Sequence, residues 1–148
     1  MPRNYISPVW KNINMEKEKV NIIMSKSWLI GFTEAEGSFY LVKKGPKRMV
    51  HAFEITQKLD KIVLEAIALI FNTKIIKKKT YNTVLISTNE GISFIIDYFN
   101  NTMKGMKSLE FKIWARSFNK DKGNFIKLSK IRDLMRQIRS IRFHKNVK

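Results

Sequence analysis

A short helix predicted at residues 26–36 constrains the fold more than any other segment. Its apolar residues recur at helical spacing, and the small residues Gly31 and Ala35 lie four positions apart on one face. Two helices can cross closely only where the facing side chains are small, so this face suits a second helix of the same kind. The helix is closed by Gly37 and carries Glu36 in its last turn. Pairing two such helices would bring together two carboxylates, which repel each other unless a cation binds between them.

The segments after this helix alternate between strand-like and helical patterns. Two strand-like runs, 38–44 and 48–58, are joined by a Gly-Pro turn, and a second hairpin is predicted over 74–87. A helix capped by Asp60 separates the hairpins, and a capping box at Ser87 and Glu90 begins the next helix. Two further helices are predicted over 106–118 and 125–142, the second with Ile131, Leu134, Met135, Ile138 and Ile141 facing inward.

This order of elements predicts the fold class and the domain organisation. The order is helix, strand, strand, helix, strand, strand, helix. It indicates an α+β fold with an αββαββα core, an antiparallel sheet and extra C-terminal helices. Residues 1–24 lack periodicity and are interpreted as a flexible N-terminal arm or linker. Residues 25–118 form the predicted domain, and residues 119–148 form a basic C-terminal helix.

The charge of the chain points to a polyanionic partner. The 29 Lys and Arg against 12 Asp and Glu give a net charge of +17, which favours nucleic acid over an anionic membrane surface. The absence of cysteine excludes disulfides and thiolate zinc sites. No apolar run is long enough to span a bilayer. The 20 Ile, 22 Lys and 12 Asn suit an AT-rich genome, such as that of an organelle.

Three segments of the sequence resemble one protein family. Trp28 to Phe39, WLIGFTEAEGSF, resembles the LAGLIDADG motif of homing endonucleases and intron maturases, with Leu29 to Gly37 at its nine positions. Ile55 to Lys58, ITQK, resembles the family segment that closes the second strand. Lys104 to Phe111, KGMKSLEF, resembles the segment before a late helix. The resemblance covers about residues 25–118. Its details resemble the second half of two-motif fungal mitochondrial intron proteins, which implies a mitochondrial location.

The resemblance implies a divalent-metal site that hydrolyses phosphodiester bonds of double-stranded DNA. It gives Glu36 the role of ligand for Mg²⁺ or another divalent cation, Gln57 a water-positioning role and Lys107 a transition-state charge role. Lys104 and Lys112 compete with Lys107 for that role.

The resemblance also implies two binding surfaces. A dimer interface on the first helix would include Leu29, Gly31, Phe32 and Ala35. The sheet would lie on DNA, with strand residues contacting bases in the major groove. The expected nucleic-acid contacts are Ser38, Tyr40, Val42 and Lys44 in the first strand and Lys77, Lys78, Tyr81, Asn82 and Thr83 in the second hairpin.

One motif supplies half of such a site. The chain is therefore expected to act as a homodimer on a near-palindromic target, or to pair with a second LAGLIDADG half. The main expectation is a Mg²⁺-dependent, site-specific homing endonuclease. The alternatives are a noncatalytic maturase that binds its host intron RNA, a DNA-binding remnant, and a basic structural protein for which Glu36 is irrelevant.

Overall fold

The computed structural model describes residues 25–58 and 61–146, with side chains described as far as Ile141. Its elements in chain order are α1 (Lys26–Glu36), β1 (Gly37–Gly45), β2 (Arg48–Gln57), α2 (Lys61–Ile70), β3 (Ile75–Lys77), β4 (Asn82–Ile86), α3 (Asn89–Phe99), α4 (Ser108–Asp121) and α5 (Phe125–Asn146). The predicted arm at residues 1–24 and the predicted cap Asp60 lie outside the described residues.

The four strands form one sheet in the order β1-β2-β4-β3. β2 and β4 pair antiparallel, from Phe53 opposite Ile86 to Gln57 opposite Asn82. β3 pairs antiparallel with β4 at the other edge of the sheet. The predicted α+β class and the αββαββα order with extra C-terminal helices are confirmed.

The chain divides into two compact units, and the first comprises residues 25–38 and 53–102. An aromatic cluster lies in its core, where Phe53 contacts Phe71 and Phe99 at ring-centroid distances of 5.8 and 6.1 Å. Aliphatic side chains of α2 and α3 complete this core, with Leu64 and Ile67 fully buried. Each such side chain contributes about 1.5–3 kcal/mol through its removal from water, which holds α2 and α3 against the strands.

The second unit comprises residues 39–52 and 103–146, and Trp114 of α4 is at its centre. The Trp114 ring lies 5.0 Å from that of Phe39, and its indole N–H donates to the carbonyl of Tyr40 at 3.0 Å. Arg139 of α5 donates to the carbonyl of Phe39 and pairs with the buried carboxylate of Glu110 at 3.3 Å. These side chains join α4 and α5 to the backbone of β1.

The helix caps differ from those expected in one place. Ser25 caps α1, since its hydroxyl accepts from the Trp28 N–H at 3.1 Å. The predicted capping box at Ser87 and Glu90 is wrong, because α3 begins one residue later. Thr88 is its N-cap and accepts from the Gly91 N–H at 3.1 Å. A threonine in the extended conformation directly before the helix provides the same oxygen as the predicted serine.

The C-terminal helix also buries a narrower stripe than predicted. Leu128 and Met135 of α5, seven residues apart, are buried, whereas Leu134 and Ile141 are 45% and 60% exposed. The prediction that Leu134 and Ile141 face inward is therefore wrong: α5 packs along a single line of residues. Over residues 25–58 and 61–146, the structure contains no helix with the length and apolar character needed to cross a bilayer.

His51 in β2 is a buried titratable group of the second unit. Its burial predicts that the folded protein is less stable at acidic pH. Its Nε2 lies 2.7 Å from the hydroxyl of Ser117, and its ring meets those of Trp114 and Phe118 edge-on. Burial, and secondly the positive charge of Lys122, lowers the pKa of His51 from 6.5 to about 4. The folded chain therefore holds this imidazole neutral at pH values where the unfolded chain protonates it.

We expect the free energy of unfolding to fall with pH below about 6.5 for this reason. Between the two pKa values the unfolded state binds more protons, so stability is complete above 6.5 and is lost towards pH 4. The expected loss from pH 7.5 to pH 5 is about 2 kcal/mol. Urea unfolding of the wild-type chain and of His51→Gln at both pH values measures it. An equal pH dependence in the two proteins would contradict the assignment to His51.

Candidate active site and nucleic-acid interface

Helix α1 exposes its small residues on the face that was predicted to pair. Gly31 and Ala35 are exposed, and a Cβ atom built on Gly31 would meet no described atom within 4 Å. Phe32 is partly buried at the border of this face, where its ring stacks on that of Trp28 at 5.0 Å. Leu29 is fully buried and supports the helix from the core. Among the described residues, therefore, nothing sterically excludes a Cβ atom at position 31.

Glu36 is the last residue of α1, and the chain turns sharply into β1 directly after it. A Cβ atom on Gly37 would lie 2.7 Å from Cγ2 of Thr33 and 2.9 Å from its carbonyl oxygen, so the close approach at this turn requires glycine. The half-buried Glu36 side chain is therefore held at a fixed junction of helix and strand. The C-terminal end of a helix dipole disfavours a carboxylate, which favours a cation near it.

Gln57 lies at the same end of the first hairpin as Glu36. β1 and β2 are neighbours in an antiparallel sheet and are joined through residues 46–47, so the residue before β1 and the last residue of β2 share one end. Gln57 is 6% exposed and lies opposite Asn82 in the ladder. Oδ1 of Asn82 is buried and has no hydrogen-bond partner among the described residues. Such an atom is commonly satisfied by water or a ligand.

Lys107 belongs to the second unit, at the start of α4. Its carbonyl accepts the N–H of Phe111 at 2.9 Å, so its backbone forms part of the helix start. The side chain is half-buried, whereas Lys104 and Lys112 are exposed. Burial therefore distinguishes Lys107 from the two competing lysines. Glu36 and Gln57 are in the first unit and Lys107 is in the second.

Glu36 can supply one carboxylate ligand to a divalent-metal site. Within the described part of the chain, no three His, Asp or Glu side chains cluster closely enough to hold a metal ion. Mg²⁺ is commonly bound by one or two carboxylates together with waters and substrate phosphates. The carboxylate of Glu36 fits that pattern as one such ligand.

Among the described residues, burial alternates along the strands between a covered face of the sheet and an open face. In β1 the buried Phe39 and Leu41 alternate with residues that are exposed or half-buried. Those alternate residues are the four predicted contacts Ser38, Tyr40, Val42 and Lys44. The strand alternation thus places the whole predicted set of β1 on the open face.

The predicted DNA contacts of the second hairpin differ in their exposure and in the face of the sheet on which they lie. Lys77, Lys78 and Tyr81 are exposed at the β3–β4 turn, where the Lys78 N–H donates to the carbonyl of Tyr81 at 2.9 Å. Asn82 faces the covered side with Gln57. Thr83 is on the open face but is only 1% exposed, so its hydroxyl serves neighbouring strand residues.

Glu54 in β2 was not among the predicted residues, although the structure places it on the open face. Oε2 of Glu54 accepts from the Thr83 hydroxyl at 3.2 Å. A signal was available in the sequence, because Glu54 is the only acid within the four strands. It could be recognised only after the strand boundaries and the register were known.

Comparison with known proteins identifies the family. A family model described as LAGLIDADG endonuclease matches residues 29–118, which is more than half of the chain. The protein called probable intron-encoded endonuclease Cox1-I1b, from Schizosaccharomyces pombe, is 45% identical over 137 residues. The match covers 86% of this chain and 34% of that relative. The chain therefore spans about a third of the length of the curated relative.

Solved structures show the same fold. The LAGLIDADG homing endonuclease I-GzeII in complex with its DNA target has a TM-score of 0.60 at 26% identity, covering 64% of this chain and 35% of that one. The archaeal intron-encoded homing endonuclease I-Vdi141I complexed with DNA has a TM-score of 0.67 at 23% identity, covering 79% and 85% of the two chains. The first helix, the sheet and the family match agree: this chain belongs to the LAGLIDADG endonuclease family.

Proposed function

We propose that this chain is one half of a site-specific double-stranded DNA endonuclease of intron homing, active as a homodimer or with a second LAGLIDADG half. The observation that carries the proposal is the outer face of α1. Gly31 and Ala35 leave room for a close helix crossing, and Glu36 stands at the end of the same helix. This face of α1 is suited to pack against the same face of a second copy of the helix.

The proposed site forms where two such helices meet. Each chain would contribute the carboxylate of Glu36, and the two carboxylates would hold a divalent metal ion at this site. Bound Mg²⁺ would supply an activated water and stabilise the leaving oxygen of the phosphodiester. Gln57 would orient that water through its amide. Lys107 would place a positive charge near the phosphate oxygens, where negative charge develops in the transition state.

The open face of the sheet is the proposed DNA surface. Tyr40 and Val42 are half-buried on it, and Ser38 and Lys44 are exposed at its two ends. Lys77, Lys78 and Tyr81 extend the surface at the exposed turn of the second hairpin, where phosphate contacts suit a run of lysines. A net charge of +17 supports strong attraction to a polyanion. The solved relatives I-GzeII and I-Vdi141I were determined as complexes with DNA, which supports the same kind of partner here.

The cellular setting follows from the relative and the composition. The Schizosaccharomyces pombe relative is described as intron-encoded, and the excess of Ile, Lys and Asn suits an AT-rich organellar genome. We therefore place the proposed enzyme in the mitochondrion, encoded within an intron.

Cleavage of the intron insertion site tests the proposal directly. We expect the purified chain to cut double-stranded DNA that carries the uninterrupted insertion site, in Mg²⁺ and not in EDTA. The same DNA interrupted by the intron should remain uncut, because the recognised sequence is divided. Binding without any cleavage would contradict the endonuclease. Promotion of intron splicing by a chain that cannot cut would instead identify an RNA maturase.

A further inference from the structure

The open face of the sheet contains one negative charge that a DNA-binding surface would not be expected to carry. Glu54 is the only acid within the four strands, and it is half-buried on this face. No ion pair neutralises Glu54 within the part of the chain that the structure describes. An uncompensated carboxylate next to phosphates lowers affinity for DNA through repulsion. A favourable contact between Glu54 and the DNA would compensate for this loss of affinity.

A chain of hydroxyl groups holds this carboxylate in place. Thr83 of β4 lies opposite Thr56 of β2, and the Thr56 hydroxyl donates to Thr83 Oγ1 at 3.1 Å. The Thr83 hydroxyl lies within hydrogen-bonding distance of both Oε2 of Glu54, at 3.2 Å, and the carbonyl oxygen of Ile55, at 3.1 Å. Thr83 is 1% exposed, so its hydroxyl is held between these two acceptors and away from solvent. The network orients Glu54 on the strand instead of leaving it to rotate in solvent.

A fixed carboxylate selects among base edges because it can only accept hydrogen bonds. In the major groove the N7 and O6 of guanine and the O4 of thymine are acceptors and repel it. The exocyclic amino group of cytosine is a donor without an adjacent acceptor, whereas that of adenine lies beside the acceptor N7. Cytosine is therefore the base edge that best fits a lone carboxylate.

We propose that Glu54, oriented by Thr83, selects cytosine at one base pair of the target. This inference rests on the proposed function, since it assigns a specificity-determining residue to the same DNA surface. Thr83 is a positioning residue, because its buried hydroxyl acts on DNA only through Glu54. Glu54 would then weaken binding to DNA in general but favour targets that have cytosine at this base pair.

Selection from a double-stranded DNA library with a randomised centre tests this inference. The full chain is used without Mg²⁺, so that binding is measured apart from cleavage. We expect the wild-type consensus to contain a cytosine whose preference falls about tenfold in Glu54→Gln and moves towards adenine, which a glutamine amide pairs with on its N6 and N7. Affinity for unrelated DNA should stay equal or rise, because a negative charge has been removed.

Matched variants separate this role from a structural one. Glu65→Gln removes an acid from α2, where Glu65 pairs with Lys61 at 3.8 Å, and should leave the consensus unchanged. Thr83→Val keeps the carboxylate but should weaken the cytosine preference, and Thr83→Ser should restore it. Glu54→Asp, which keeps the charge but shortens its reach, provides the same test if the glutamine variant does not fold.

Two results would overturn the inference, and they differ in meaning. A consensus that is identical for the wild type, Glu54→Gln and Glu54→Asp would remove Glu54 from specificity and leave the proposed function intact. A wild-type chain that selects no sequence at all would overturn site-specific recognition itself.

Discussion

Glu36→Gln is expected to lower the rate of DNA cleavage by about a thousandfold or more, while DNA affinity stays within a few-fold of the wild type. The substitution keeps the size of the side chain but replaces an anionic oxygen ligand with a neutral amide. Metal-ion stabilisation of a phosphodiester transition state provides several kcal/mol, and each 1.36 kcal/mol corresponds to a factor of ten in rate. Affinity should be preserved, because counterion release depends on the cations of the protein.

The measurement is single-turnover cleavage of the insertion-site DNA in Mg²⁺, beside an electrophoretic binding assay. Glu34→Gln is the matched control, since Glu34 is also half-buried and lies two residues earlier on α1. We expect that control to retain cleavage within about tenfold. Equal losses in the two variants would point to general damage of the helix end. Full activity of Glu36→Gln would remove Glu36 from the metal site.

The sequence predicted elements and alternation well, because these depend on local chemistry. Helix α1 over Lys26–Glu36 follows from the apolar spacing before Gly37, and the open face of β1 follows from the alternation of buried and less buried residues between Gly37 and Val42. What one sequence could not supply is the pairing of distant strands. The burial of Thr83 and its contact with Glu54 depend on the β2–β4 register, which joins residues 29 positions apart.

Burial on helices was predicted less well than the helices themselves. Leu29 was grouped with Gly31 as an interface residue, yet the structure buries Leu29 completely and exposes Gly31. The two residues are only two positions apart, about 200° around a helix, and spacing alone does not say which side meets the core. Leu134 and Ile141 show the same limit on α5, where the apolar residues outnumber the positions that pack.

Gly31→Leu is expected to weaken pairing of the chain by about a hundredfold or more and to abolish cleavage with it. A leucine at the proposed helix crossing separates the two backbones, and in a two-fold symmetric pair the clash occurs twice. The isolated chain should fold normally, because position 31 is exposed and a Cβ atom there meets no described atom within 4 Å. Glycine is also the weaker helix former, so Gly31→Ala should stabilise the separate chain by up to about 1 kcal/mol.

Sedimentation velocity measures whether the particle in solution has the mass of one chain or of two. We expect the wild type to sediment at twice the 17.5 kDa of one chain, and Gly31→Leu to sediment as a single folded chain by circular dichroism. Ser93→Leu adds the same side chain at an exposed position of α3 and should leave pairing unchanged. A Gly31→Leu protein that still pairs and cuts would show that another surface brings the two Glu36 carboxylates together. A wild-type chain that is monomeric until a second LAGLIDADG half is added would show the other proposed pairing, and Gly31→Leu should then block that complex for the same steric reason.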